Sequence, residues 1–346
     1  MTLSLPGHWI LGNQQNTMIG DVFMNQYIMS NSYKGISHVK RGMPNQDAIV
    51  VDSFEVNEKN ITFLLAADGV SSCPKAEEAS SYLVDTSRTE LKKFYESSEN
   101  MTEDKFKNII QDIYKSFLDY VKQQNGKLFD YGSTLEIVVV QDEEVFTLHA
   151  GDGLVALLKS DGDVLISKND SHAGEIASQV YPFFVKEKWE FNHFNDIAAA
   201  LVATDGVYDE IVPNPARKAC EYDITLLLPL IDPRGHRDKN SWERYINSYI
   251  TGKLNDKAIF QRCKSFIKKK IMTDLRLKDL KEHFELSVPY KRFGSSSKDD
   301  LSIAVWVNMD NMPEHVSVRI PPYFDIWRQE SEISRERAKK QVGIYK

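Results

Sequence analysis

The sequence predicts an α+β domain. Its short apolar strand patterns fall next to one another as hairpins, and its amphipathic helical patterns are gathered into separate blocks instead of alternating with the strands. A third observation points to chemistry: Asp47, Asp68, Asp205 and Asp299 each stand where an apolar run meets a turn. Carboxylates at the ends of buried strands are poorly solvated and repel one another, so several such ends brought together need a cation between them.

Taken in order, residues 27–30 read as a strand entry, 35–47 as a polar turn segment and 48–51 as a β-branched run. Residues 61–67 form a continuous apolar run closed by Asp68-Gly69, the pattern of a central strand. Two helices follow, over 77–94 and 103–124; in the second, Phe106, Ile109, Ile110, Ile113, Phe117, Leu118 and Val121 share one face. Strands are then expected at 134–140 and 145–150, joined by the acidic turn Gln141-Asp142-Glu143-Glu144. A second hairpin pairs 154–159 with 164–167 through Ser160-Asp161-Gly162-Asp163, where Asp-Gly accepts positive φ. The last strands are 198–203, ending at Thr204-Asp205-Gly206, and 301–307. Between them, residues 213–297 read as a largely helical insertion. It includes a basic amphipathic stretch at 257–284, whose Lys268-Lys269-Lys270 is either a solvated face or a docking surface. The expected organisation is one domain over 1–310 and a C-terminal tail over 311–346 with a charged helix at 326–342.

With 346 residues, 42% of them hydrophobic, the chain can bury one large core or two smaller ones. A net charge of −7 argues against a general nucleic-acid binder. Cys73, Cys220 and Cys263 are odd in number, far apart and without CxxC spacing, which fits neither a disulfide framework nor a zinc site. No uncharged apolar run approaches the length of a membrane span, and no charged-then-apolar segment opens the sequence. The expectation is a soluble cytoplasmic protein with neither nucleic acid nor membrane as a partner.

The acidic positions sit in motifs whose order is informative: Pro44-Asn45-Gln46-Asp47, Ala67-Asp68-Gly69-Val70, Tyr131-Gly132-Ser133-Thr134, Gly151-Asp152-Gly153, Thr204-Asp205-Gly206-Val207 and Lys298-Asp299-Asp300-Leu301. Over about residues 35–307 this series resembles the metal-dependent protein phosphatases of the 2C type, and their bacterial-type members in particular. The resemblance implies a central antiparallel β-sandwich flanked by helices, with a centre of two Mg2+ or Mn2+ ions at one end. In it Asp68 bridges the ions and the carbonyl of Gly69 binds one of them, while Asp47 serves one ion and Asp205 with Asp299 the other. The implied reaction is hydrolysis of phosphoserine or phosphothreonine in proteins by activated water, opposite a cognate kinase.

Several positions depart from the family pattern or leave alternatives. Asp152 is a candidate for a third ion, or else a hairpin-turn carboxylate; Gly153 follows it where the family has serine. The family's phosphate-binding arginine lies five residues before the first metal aspartate, a spacing that Gly42 occupies here. Arg41 and Lys40 are the candidates for that role, Arg41 being preferred for its bidentate fork of donors. Val70 stands where many members carry a general-acid histidine, and Gln46 replaces a common acidic residue. His38, His149 and His172 are possible ligands, with His149 expected in the core. Asp299 is preferred over Asp300 as a ligand because consecutive residues of an extended chain face opposite ways. None of the cysteines begins a Cys-x5-Arg loop, which removes the cysteine-based phosphatase route. Two alternatives remain: a non-catalytic module that keeps the fold for binding or regulation, and a metal-dependent hydrolase of a small phosphorylated metabolite or nucleotide.

Overall fold

The computed structural model describes residues 16–19, 22–97, 99–167, 180–211, 227, 231 and 299–314. Strand and helix follow the hydrophobic patterning closely. In chain order the described elements are β1 (Asn16–Ile19), β2 (Val22–Tyr33), α1 (Ile36–Arg41), β3 (Asp47–Val56), β4 (Lys59–Asp68), α2 (Ala76–Glu96) and α3 (Glu103–Gln123). They continue with β5 (Leu135–Gln141), β6 (Glu144–Ala150), β7 (Leu154–Lys159), β8 (Val164–Ile166), β9 (Glu190–Phe194), β10 (Ile197–Ala203), α4 (Asp205–Ile211) and β11 (Leu301–Asn308). The strands make two antiparallel sheets, one in the order β1-β2-β11-β10-β7-β8 and the other β3-β4-β5-β6-β9.

The unbroken apolar runs of β4 and β5 are explained by burial on both faces. Leu64, Ala66, Val138 and Val140 point between the sheets and meet Val155, Leu157, Ala200, Val202, Ala304 and Trp306. Their neighbours Phe63, Leu65, Ala67, Ile137 and Val139 point the other way, onto the helices. There α2 presents Ala79, Leu83, Leu91 and Tyr95, and α3 presents Phe106, Ile110, Ile113 and Phe117, at the three- and four-residue spacings of a single helical face. Thr102 starts α3 by accepting the Lys105 amide on its side chain. Phe63 is wholly buried and packs edge-on against Phe54 at 5.2 Å between ring centroids. Phe63→Ala is expected to cost about 3–5 kcal/mol, read as a lower urea midpoint.

Two features differ from the sequence expectation. Residues 35–47, read as a polar turn, contain the helix α1, held by tertiary hydrogen bonds described below rather than by an apolar stripe. Strand β9 had no strand signal because it is an edge strand, paired with β6 alone and half-buried along its length. The β3–β4 turn lacks the glycine that marks such hairpins; Asn57 and Glu58 both take positive φ, 52° and 65°, as a two-residue turn requires. The Asp161-Gly162 hairpin forms as expected, with Gly162 at φ 93°. Apart from Leu227 and Ile231, the insertion at 213–297 lies outside the described residues, as do the helix at 326–342 and His172.

Candidate metal centre

Strand register gathers the acidic strand ends at one end of the sandwich. Across β3 and β4, Asp47 lies directly opposite Asp68. In the other sheet Ala203 pairs with both Leu154 and Ile303, and the Thr204 amide continues the ladder to the Ser302 carbonyl at 3.0 Å. Asp205 and Asp299 therefore emerge beside each other. The short β6–β7 connection, Gly151-Asp152-Gly153, closes over the same end, since Ala150 pairs with Leu135.

One carboxylate oxygen each from Asp68, Asp152 and Asp205 falls within 4.8 Å of the others. Asp68 thus has Asp47 as its cross-strand neighbour in its own sheet and Asp205 within 4.8 Å from the other. Asp299 is close enough to perturb Asp68 and Asp205 electrostatically. Asp47 Oδ2 accepts the Thr204 hydroxyl at 2.8 Å, a bond that joins the two sheets. The structure thus groups Asp68 and Asp205 with Asp152, sets Asp47 opposite Asp68, and leaves Asp299 near enough to act on Asp68 and Asp205.

Burial dominates their protonation. It pushes Asp47 up to about 7, with Asp300 adding repulsion and the Thr204 hydroxyl working against it. Asp68 and Asp205 are raised well above the ordinary carboxylate range, first by burial and then by the neighbouring carboxylates. A carboxyl group whose folded pKa is raised binds more protons in the native than in the unfolded state, so its effect on stability is unfavourable as pH rises. The metal-free protein, held in chelator, is therefore expected to melt at a higher temperature near about pH 5 than near about pH 7.5, with excess Mn2+ removing the deficit at the higher pH. A melting temperature in chelator that climbs steadily between those values would contradict the cluster. Carboxylates and a backbone carbonyl are hard oxygen donors, a set that fits Mg2+ or Mn2+.

Gly69 follows the central aspartate, and its amide donates to the Gln46 carbonyl at 3.1 Å. A Cβ there would lie 2.6 Å from the backbone of Ala76, so glycine is what lets the start of α2 close onto the strand end. Gln46 itself is buried; its amide donates to Asp300 Oδ2 at 2.7 Å, and its carbonyl also accepts the Ser80 hydroxyl at 2.6 Å.

Asp300 turns away from the cluster, as the alternation of an extended chain predicts, and organises the segment before Asp47. Its Oδ1 accepts the Gly35 amide at 2.6 Å, and its Oδ2 accepts from His38 Nδ1 at 2.7 Å besides the Gln46 amide. His38 and Asp300 are both buried, so His38 belongs to this network and is accounted for without a metal. Helix α1 ends at Gly42, whose φ of 67° is left-handed, with the Met43 amide reaching the His38 carbonyl. A left-handed terminator explains why the spacing expected for arginine carries glycine instead. Arg41 and Lys40 occupy the exposed last turn, and Arg41 Nε donates to the Ser37 carbonyl at 3.2 Å. His149 lies buried within β6, as expected. Val70 is held by its amide to the Gly132 carbonyl.

Glu136 was not foreseen. It is fully buried, its carboxyl group is raised far above the usual range by burial and then by Asp152, and its Oε1 lies 3.6 Å from His149 Nδ1. The available signal was a lone acid inside the otherwise apolar run of β5. A cleft of about 310 Å³ opens beside the centre, lined among others by Met43, Pro44, Gln46, Ser72, Cys73 and Lys75. No helix among the described residues is long and apolar enough to cross a membrane.

Among solved structures, the chain is similar to the catalytic domain of the serine/threonine protein phosphatase PstP in complex with two manganese ions, at 14% identity and a TM-score of 0.46, covering 82% of this chain and 97% of that one. It is similar to the serine/threonine phosphatase Stp1 from Staphylococcus aureus at 15% identity and a TM-score of 0.43, covering 85% and 99%. The third is RsbX in complex with magnesium, at 13% identity and a TM-score of 0.41, covering 82% and 95%. No curated protein matches the sequence. A sequence profile described as Protein phosphatase 2C matches residues 34–235. With that match running over more than half of its length, from the segment before Asp47 to beyond the strand that ends at Asp205, the chain belongs to the protein phosphatase 2C family.

Proposed function

We propose that the protein is a metal-dependent serine/threonine phosphatase acting on phosphorylated proteins, through a centre of two Mg2+ or Mn2+ ions. The observation that supports this reading is the position of Asp68, opposite Asp47 across the strand pair and with a carboxylate oxygen within 4.8 Å of one from Asp205, where one carboxylate could serve two cations. Asp68 is assigned to both ions and the Gly69 carbonyl to one of them, Asp47 to one ion and Asp205 with Asp299 to the other; Asp152, within 4.8 Å of Asp68 and Asp205, is assigned to a third that it would share with them. When bound, such ions polarise the phosphoryl oxygens and make water nucleophilic near neutral pH. Arg41, with Lys40 beside it, is assigned to the substrate phosphate, and the cleft between Met43, Pro44 and Lys75 to the chain that carries it. Val70 has no proton to give, which leaves protonation of the departing alkoxide to water. A cognate kinase supplies the phosphorylated substrate. The cytoplasmic assignment rests on the odd, widely spaced cysteines.

The test is phosphate release from a phosphothreonine peptide with Mn2+, with chelator, and with Asp205→Asn. Turnover is expected with Mn2+ alone and should fall at least about 100-fold in the other two conditions. Turnover indifferent to chelator and to the substitution would sink the metal mechanism. Measured Mn2+ binding without turnover on any phosphopeptide would point instead to a binding module.

A further inference from the structure

We propose that Glu136 is a positioning residue of the metal centre, coupling the Asp68 strand end to the Asp152 turn and adding a buried negative charge behind the cation that Asp68, Asp152 and Asp205 would share. The inference rests on the metal-centre reading above.

The argument begins with side-chain direction. Glu136 lies on the same face of β5 as Val138 and Val140, whose side chains fill the space between the sheets. It is the last of that row before the site, where packing alone would be served by another valine. A carboxyl group at 0% exposure is costly there unless something offsets it.

The hydrogen bonds show what it is attached to. The Asp68 amide donates to Thr134 Oγ1 at 3.0 Å, which uses that hydroxyl as an acceptor. The single hydroxyl proton of Thr134 then goes to Glu136 Oε2 at 3.3 Å. The result is a directed chain from the backbone of Asp68 through Thr134 to Glu136.

The other end of the chain is the Asp152 turn. A Cβ at Gly151 would lie 2.5 Å from the Thr134 side chain, and one at Gly153 would lie 2.5 Å from Glu136 Cδ. Both residues flanking Asp152 are therefore seated directly on Thr134 and Glu136. A Cβ at 153 would also lie 2.7 Å from the Ala203 carbonyl, so Glu136 and the end of β10 together leave room only for glycine where the family pattern has serine. Among the described residues no side chain gives Oε1 of Glu136 a hydrogen bond of good geometry, and the Gly153 backbone of the turn is the group that favours its ionised form. A cation among Asp68, Asp152 and Asp205 would balance that charge, whereas a purely structural role would not require one.

The experiment is a Mn2+ titration, by calorimetry and electron paramagnetic resonance, of the wild-type protein, Asp152→Asn, Glu136→Gln and the double variant. Asp152→Asn identifies the class of Mn2+ that depends on the turn. Glu136→Gln is expected to weaken that same class by about 10–100-fold, the usual effect of a residue behind a ligand. It should leave the remaining equivalents within about twofold, and the double variant should bind no worse than Asp152→Asn alone. The melting temperature in chelator should not fall, since burial already disfavours the ionised form of Glu136 in the metal-free protein and glutamine keeps its shape. Unchanged binding in Asp152→Asn or in folded Glu136→Gln overturns the inference alone. So does a loss spread over all equivalents with a lower melting temperature, the signature of packing damage. If Glu136→Gln does not fold, Thr134→Val cuts the same chain; it should weaken the same class, and unchanged binding overturns the inference. Wild-type protein that binds no Mn2+ overturns the metal-centre reading as well.

Discussion

Asp300→Ala is expected to destabilise the metal-free protein by about 3–5 kcal/mol, measured as a shift in the urea midpoint at constant slope. The carboxylate accepts three buried hydrogen bonds, from the Gly35 amide, the Gln46 amide and His38 Nδ1. Removing it strands two backbone N–H groups and an imidazole without water, and each such orphan costs about 1–3 kcal/mol. Asn is not a full replacement, because its amide nitrogen would meet a donor. The consequence reaches beyond stability, since the Gln46 amide next to Asp47 and the helix that carries Arg41 are both anchored through Asp300. A variant as stable as the wild type would show that the segment holds its place without this carboxylate.

Asp68→Asn is expected to act in the opposite direction on stability while removing activity. Asp68 lies half-buried beside Asp205, Asp47, Asp152 and Asp299, whose charges all oppose its ionisation. Substituting a neutral side chain of the same shape relieves that repulsion, so the melting temperature in chelator should rise near neutral pH. The same change takes away the carboxylate assigned to both cations. Turnover should fall by about 1,000-fold or more, equivalent to about 4 kcal/mol of lost transition-state stabilisation. The Mn2+-dependent rise in melting temperature should shrink with it. Two acidic residues close in space would then be separated by sign: one holds the metal-free fold together, the other strains it. Asp68→Asn protein that is less stable in chelator and still active with Mn2+ would remove Asp68 from the centre.

What the sequence revealed depended on whether the relevant forces were local. The run at 61–67 reads as a buried strand because both of its faces are covered, and the structure extends it only to Lys59–Asp68. Helix α3 was legible almost to the residue, since its buried face recurs with helical period and Thr102 marks its start. Asp68 and Asp205 were legible because the end of an apolar run and a following glycine mark them, Asp47 and Asp299 from the boundary of an apolar run alone. Helix α1 was not, because its stability comes from Asp300, more than 250 residues away along the chain. Glu136 escaped for a related reason. A lone acid in an apolar strand carries no instruction about what it faces until register sets it beside the Asp152 turn. Asp152 was readable either as a turn residue or as a ligand, and its nearness to Asp68 and Asp205 follows only from β6 ending and β7 beginning at their end of the sandwich.

The bond from Thr204 to Asp47 joins two sheets that share no strand ladder. A cation at the same end would do likewise, because Asp47 and Asp68 belong to one sheet while Asp205 and Asp299 border strands of the other. Any ion that binds the folded chain and not the unfolded one adds its binding free energy to folding, about 2.7 kcal/mol at a hundred times its dissociation constant. Metal scarcity would then act twice on this protein. It would silence the molecules present, and it would raise the fraction transiently open to proteases, shortening their lifetime. Cellular abundance of the protein, and not only its turnover, would thereby be tied to the supply of divalent ions.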